Sequence, residues 1–142
     1  MGWKTSRLGL SGEGGNLAMR LLLVPWYSIS GPRLRIFRLP INDHVRPDVE
    51  LSTHKGQIIA LKLLDKYAVE KKLTTYNPDR SLRMAVDVEV PDEAAERLLK
   101  TLFALASLNP SLKRRKIFKD LAENPSLRKL EHVLSIQKLV DG

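Results

Sequence analysis

The residues best suited to chemistry in this chain are cations that follow a repeated four-residue motif. Asn-Pro-Ser-Leu occurs at residues 109–112 and again at 124–127. The basic residues after the two copies are Lys113, Arg114, Arg115 and Lys116, then Arg128 and Lys129. Clustered lysine and arginine side chains bind phosphate groups, and such contacts give affinity without base specificity. These six residues are therefore the predicted contacts to the phosphate backbone of RNA or DNA.

The motif also indicates where two helices begin. Asn is favoured as a helix N-cap and Pro at the first helical position, so Asn109 and Asn124 are the predicted caps. A helix N-terminus carries about half a positive elementary charge, which makes neighbouring cations mildly unfavourable. The arrangement becomes favourable when an anion docks there, because backbone N–H groups and cations then bind it together.

A simpler interpretation of the first basic helix is an ordinary solvated face. Lys116 and Asp120 are four residues apart, as are Lys119 and Glu123. Opposite charges at this spacing form ion pairs along a helix surface. In that case the lysines would be neutralised within the helix and would bind no partner.

The two C-terminal helices also suit a helix-turn-helix, the DNA-binding arrangement of two packed helices. The residues suited to its core are Phe118, Leu121, Ala122, Leu127 and Leu130. Its second helix would direct Arg128, Lys129, Glu131 and His132 toward a groove. The turn at Asn124 and Pro125 has no glycine, however, and two helices that only pack together explain the pattern equally well.

A second basic group lies in the N-terminal third, where Arg33 and Arg35 alternate with apolar residues on a predicted strand. Together with Trp26, Tyr27 and Phe37 they form a candidate surface on which bases of single-stranded RNA stack. Arg33 and Arg35 therefore join the predicted nucleic-acid-binding residues. The alternative is an edge strand that charged side chains protect from aggregation.

The segment 43–55 is the best candidate for an enzyme site, because it concentrates ionisable residues. Its possible metal ligands are His44, Asp48, Glu50 and His54. No pair among them has a spacing typical of metal sites. A nuclease-like Glu70-x-Lys72 falls on a predicted helix, where its geometry would fail. With no Gly-x-Ser-x-Gly and no Gly-rich cofactor motif, the sequence predicts no catalytic residue, no metal site and no cofactor.

The composition excludes further classes of chemistry. The chain has no cysteine, which removes disulfides, thiolate nucleophiles and cysteine-bound metals and fits a cytoplasmic protein. Its net charge of +8 arises in residues 1–42 and 111–142, whereas residues 43–110 are nearly neutral. Basic ends of this kind fit nucleic acid, an acidic membrane surface or an acidic protein as a partner. A charged fraction of 28% with little glutamine is typical of heat-adapted proteins. No run of about twenty apolar residues predicts a membrane span.

Hydrophobic periodicity predicts the elements that position these residues. Strands are expected at 21–24, 34–39, 48–51 and 82–90, and helices from a cap at 52 or 53 to 73, then at 93–108, 110–123 and 126–140. Strict alternation in the last strand favours antiparallel pairing with one wet face. The predicted fold class is therefore α+β, with a small, mainly antiparallel sheet, a crossover helix and a C-terminal three-helix segment.

Residues 1–18 are predicted to be a flexible Gly-rich tail, and residues 19–142 a single domain whose helical part spans about 92–140. The expected function is non-catalytic binding of RNA or DNA. The alternative is a structural or adaptor subunit of a larger assembly, possible also as a homo-oligomer or in a ribonucleoprotein. Exposure of Ile136 and Leu139, which lie off the main apolar stripe of the last helix, would indicate a protein partner. A metal-dependent enzyme that uses segment 43–55 is the third hypothesis.

Overall fold

A computed structural model of the chain describes residues 18–41, 45–75, 84–108 and 114–141. Its elements are β1 (Ala18–Ser28), β2 (Gly31–Arg38), β3 (Val49–Leu51), α1 (His54–Tyr67), β4 (Glu70–Thr74), β5 (Ala85–Pro91), α2 (Asp92–Ala106), α3 (Lys116–Glu123) and α4 (Leu127–Asp141). The predicted tail up to residue 17, the first Asn-Pro-Ser-Leu motif and Lys113 lie outside the described residues.

The strands of the described residues form one antiparallel sheet in the order β3-β2-β1-β5-β4. Helix α1 joins the two edge strands β3 and β4 and so crosses the sheet, and α2, α3 and α4 follow the last strand. The predicted α+β class, antiparallel sheet, crossover helix and C-terminal helices are therefore confirmed. Strand β2 lies between β3 and β1, so the interpretation of Arg33 and Arg35 as protection for an edge strand is wrong.

The helices cover one face of the sheet, and the other we call the open face. Leu21 and Leu23 of β1 join the main core with residues of all the helices, whereas Leu22 and Val24 point the opposite way. Residues directly opposite each other in antiparallel strands share a face. By register the open face also carries Arg20, Arg33, Arg35, Phe37, Glu50, Glu70, Lys72, Ala85, Asp87 and Glu89.

The centre of the open face is buried rather than wet. Leu22, Val24, Phe37 and Ala85 form a small second core, each at most 1% exposed. Leu39 and Ile41, which follow β2, pack against it, and the N–H of Leu39 continues the pairing with β1 by donating to the carbonyl of Arg20 (2.9 Å). The predicted wet face of β5 is therefore wrong at its centre, since apolar residues from two other strands meet it there.

Helix α1 ends at Tyr67 and not at Leu73 as predicted. Its cap residue Ala68 donates its N–H to Leu64 (N–O 2.9 Å), and Val69 already donates to Glu89 of β5 (N–O 2.8 Å). Glutamate and lysine favour helices, but propensity is a weak prior that tertiary pairing overrides. Pairing with β5 therefore makes residues 70–74 a strand.

The start of α1 is as predicted and explains one glycine. Thr53 is the N-cap, and its Oγ1 accepts a hydrogen bond from the N–H of Gly56 (3.1 Å). A Cβ atom at position 56 would lie 2.8 Å from that oxygen. Any other residue at Gly56 would therefore force the cap apart.

The second Asn-Pro-Ser-Leu motif starts a helix, but at a different residue than predicted. Ser126 is the cap of α4, because its Oγ accepts from the N–H of Lys129 (3.1 Å) and its carbonyl from Leu130 (3.0 Å). Asn124 instead ends α3, donating its N–H to Asp120 (3.0 Å). The predicted cap role of Asn124 is therefore wrong, since Ser is an equally good cap and lies after the proline.

Candidate functional site

Four exposed cations surround the start of α3: Arg114, Arg115, Lys116 and Lys119, which we call the α3 basic cluster. Helix α3 begins at Lys116, with Arg115 as the N-cap residue, so Arg114 and Arg115 precede the helix. This differs from the predicted start at Pro110, which would have placed them within it. No side chain of the described residues caps the first N–H groups of α3. Those donors add to the positive potential of the cluster.

The four cations are held on a short element that is firmly anchored. Phe118 and Leu121 of α3 are both 0% exposed in the main core. They lie on the side of the helix away from Lys116 and Lys119. Burial of one helix face therefore fixes the position from which the cluster faces solvent.

The two ion pairs that the solvated-face interpretation predicts for this helix, Lys116–Asp120 and Lys119–Glu123, do not form among the described residues. Asp120 contacts Lys129 of α4 (Oδ2–Nζ 3.1 Å) instead of Lys116. Lys119 and Glu123 form no ion pair, and no acid within the described ranges pairs with any member of the α3 basic cluster. The cluster therefore keeps its positive charge in the part of the chain that the structure describes.

The second group of cations is only partly available. Lys129 contacts Asp120 and also donates to the carbonyl of Asn124 (3.1 Å). Arg128, in contrast, is exposed. It lies in the first turn of α4, on the helix that follows α3 in the chain.

Two of the four residues that the helix-turn-helix interpretation directs toward a groove form contacts within the protein. Glu131 accepts two hydrogen bonds from Arg97 of α2 (2.9 and 2.7 Å), and Lys129 is held as described above. The contact raises the pKa of Arg97 and lowers the pKa of Glu131, chiefly through these hydrogen bonds. Glu131 and Lys129 are therefore engaged in ion pairs at the protein surface. The predicted core residues Phe118, Leu121, Leu127 and Leu130 are buried, and Ala122 is partly buried.

The predicted sheet arginines are engaged within the protein. Arg33 donates to the Oγ atoms of Ser28 (3.1 Å) and Ser30 (2.7 Å) in the β1–β2 turn. The guanidinium of Arg35 lies over the ring of Trp26, 4.4 Å from its centroid. Both arginines also lie within 3.7 Å of Glu50 on β3. One face of the Trp26 ring is thus covered by Arg35, and Glu50 offsets the charge of the two arginines.

The structure separates the two predicted basic groups. Arg33 and Arg35 lie on the open face, whereas α3 belongs to the helix layer on the other side of the sheet. They do not form one continuous basic surface. Any ligand of the α3 basic cluster therefore has to bind without the sheet arginines.

An ion pair on the open face was missed by sequence reasoning. Asp87 is 7% exposed and binds Arg20, whose Nε lies 3.3 Å from Oδ1. The hydrogen bond from Arg20 to Asp87 raises the pKa of Arg20. Beside this pair is an open pocket of about 710 Å³, between β1, β5 and the chain after β2. In the sequence, Asp87 is one of the polar residues of an alternating strand. That pattern does not distinguish a buried polar residue from a solvent-exposed one.

The ionisable residues of segment 43–55 do not form one cluster in the part of the chain that the structure describes. Asp43 and His44 lie outside the described residues, and His54 is an exposed first residue of α1. Asp48 accepts from the N–H of Arg38 (2.9 Å), and Glu50 contacts the sheet arginines. Among the described residues no group of His, Asp and Glu is placed to hold a metal ion.

The Glu70-x-Lys72 motif lies on strand β4, not on a helix as predicted. It runs beside β5, and Lys72 is directly opposite Asp87. A nuclease geometry needs the strand carboxylate to be open to a metal ion. Here Arg20 forms an ion pair with the carboxylate of Asp87. The motif therefore lies on a strand, but the carboxylate opposite Lys72 is not open to a metal ion.

Of the two residues whose exposure would indicate a protein partner, Leu139 is exposed and Ile136 is not. Leu139 on α4 is 83% exposed and Phe103 on α2 is 64% exposed. Ile136, in contrast, packs against the main core. The single exposed residues are compatible with a partner but do not define its surface.

The sequence matches no family model, no curated protein and no solved structure. None of the helices in the described ranges is long and apolar enough to cross a membrane. The chemistry of the site therefore stands on the geometry alone.

Proposed function

We propose that this protein binds the phosphate backbone of RNA or DNA through the α3 basic cluster and catalyses no reaction. One observation carries the proposal: four exposed cations lie together at one helix start, and no acid in the described part of the chain neutralises them. Other arginines, such as Arg20, Arg35 and Arg97, do lie against carboxylates. Unpaired, clustered cations are what phosphate binding requires.

The local chemistry suits an extended polyanion such as a phosphate backbone. Arg114 and Arg115 offer planar guanidinium groups, which bind phosphate oxygens in a bidentate manner, and Lys116 adds a point charge. Successive phosphates recur along a nucleic-acid strand, so a ligand that contacts both the α3 basic cluster and Arg128 on α4 needs several charges in a row. A polyanion supplies them, whereas a single small anion does not. The contacts assigned here are all to the backbone, so we expect little base preference.

A second candidate function, an adaptor subunit, is favoured by the exposure of Phe103 and Leu139. Its contacts would be apolar and little affected by salt. Phosphate contacts release counterions, so their affinity falls steeply as salt rises. Salt dependence therefore separates the two functions.

The test is fluorescence anisotropy with labelled single-stranded RNA, single-stranded DNA and duplex DNA. The variant R114E/R115E/K116E should lower affinity at low salt by at least about a hundredfold, because three attractive contacts become repulsive. The matched control is K55E/K66E/K100E, which changes net charge equally at exposed lysines outside the cluster.

The control variant should retain affinity to within about tenfold, the part due to net charge alone. Circular dichroism should show that both variants fold. Equal losses in the two variants would remove the site and leave only nonspecific attraction. Absence of binding to all three ligands at low salt would overturn the function itself.

A further inference from the structure

Strand β4 is an edge strand that carries exposed apolar residues. It pairs with β5 on one side, and no other described strand pairs with it. Val69, just before it, is 62% exposed and Leu73 is 70% exposed. Both lie on the helix-covered side of the sheet, because they alternate with Glu70 and Lys72 of the open face. Exposed edges with apolar residues are templates for pairing with another strand.

A second copy of the chain can pair with this edge only in certain registers. A two-fold axis perpendicular to the sheet keeps each side chain on its own face, so one residue must lie opposite itself. Centring on Glu70 or on Lys72 places like charges opposite each other, which destabilises a strand pair. Centring on Leu73 places Lys72 opposite Thr74 and leaves Val69 without an apolar neighbour.

The register centred on Lys71 is complementary on both sides of the axis, and Lys71 itself lies opposite a like charge. It places Val69 opposite Leu73 of the second copy, and Glu70 opposite Lys72 of the second copy. Two-fold symmetry repeats each pair, giving two apolar and two oppositely charged contacts. The two Lys71 side chains meet at the axis, but each already forms an ion pair with Asp65 of its own α1.

We propose that β4 is a homodimer edge, which pairs antiparallel with β4 of a second copy about an axis at Lys71. The two sheets then form one continuous sheet with both helix layers on the same side. The inference is independent of nucleic-acid binding, because it uses none of the α3 basic cluster.

The absence of cysteine from the chain makes a register test direct. The variant K71C should form a disulfide-linked dimer under mild oxidation, because residues 71 lie opposite each other only in this register. V69C and L73C should each crosslink poorly alone but readily when mixed, since they face each other across the axis. K100C, at an exposed position on α2, is the control for random collision.

Charge exchange gives a second readout by sedimentation equilibrium. K72E and E70K should each weaken dimerisation about tenfold, because two attractive pairs become repulsive. The double variant E70K/K72E restores opposite charges and should recover most of the affinity. A monomer at every concentration up to the solubility limit would overturn the proposal. Crosslinking of K71C no faster than K100C, or no recovery in the double variant, would equally overturn it.

Discussion

On the open face of the sheet, Arg20, Arg33 and Arg35 each lie near a carboxylate, whereas Arg114 and Lys116 beside α3 have none among the described residues. The same side-chain types thus serve two purposes. In the sheet, strand register places acids such as Glu50 opposite arginines, and the charges support the fold. In α3, Asp120 contacts Lys129 of α4, and the α3 basic cluster keeps its charge within the described residues. Pairing in space, not basic composition, therefore distinguishes the cations of the sheet from those of the α3 basic cluster.

The largest loss of stability is expected when a buried residue that anchors the α3 basic cluster is truncated. Phe118 is 0% exposed, and Phe118→Ala should lower the free energy of unfolding by about 3–5 kcal/mol. Urea unfolding measures the loss. Because α3 is then held only loosely, affinity for nucleic acid should fall even though no charge has changed. Unaltered affinity in a folded F118A protein would show that the cluster does not depend on its position.

An intermediate effect is expected where the sheet charges are structural. Arg20→Met leaves the carboxylate of Asp87, 7% exposed, without its partner, and should cost about 1–3 kcal/mol of stability. Asp87→Asn should cost less, because the side chain of Arg20 is 53% exposed and can turn to water. Urea unfolding of both variants measures the difference. A larger loss in D87N than in R20M would contradict the structural role assigned to this pair.

The smallest effect should come from the exposed Arg97–Glu131 pair. Arg97 lowers the pKa of Glu131 below its ordinary value of 4.5, so the folded state favours the charged carboxylate more than the unfolded chain does. The resulting stabilisation is complete above that value and is lost as the pH falls through the lowered pKa. Glu131→Gln should therefore lower Tm slightly near neutral pH and not in strong acid. A Tm difference that persists unchanged at about pH 2 would contradict this.

Patterns with a local physical cause were predictable. The Thr53 cap, the antiparallel sheet and the buried faces of α3 and α4 all follow from capping and periodicity. Strand β4 was not predictable, because Glu70, Lys71 and Lys72 favour a helix until β5 offers a partner. Local propensity fails there because a distant strand decides the conformation.

The candidate site also has one part that the sequence predicts and another part that it does not. Exposure of the α3 basic cluster follows from the apolar stripe of one helix, which the sequence contains. The neutralisation of Arg33 and Arg35 by Glu50 depends on the β2–β3 register, and the Arg20–Asp87 pair joins residues far apart in the chain. Such contacts need the assembled sheet. For this reason the sequence predicted both basic groups as nucleic-acid-binding residues, whereas the structure pairs the sheet arginines with Glu50 and leaves the α3 basic cluster without an acidic partner among the described residues.

The central claim is that unpaired cations bind phosphate and paired cations do not. The most direct test is the slope of log affinity against log salt for the wild type, R114Q/R115Q/K116Q and R33Q/R35Q. The α3 variant should reduce the magnitude of that slope by about 2–3, because each lost phosphate contact removes one released counterion. The sheet variant should leave the slope unchanged. A larger reduction in R33Q/R35Q than in R114Q/R115Q/K116Q would contradict the claim.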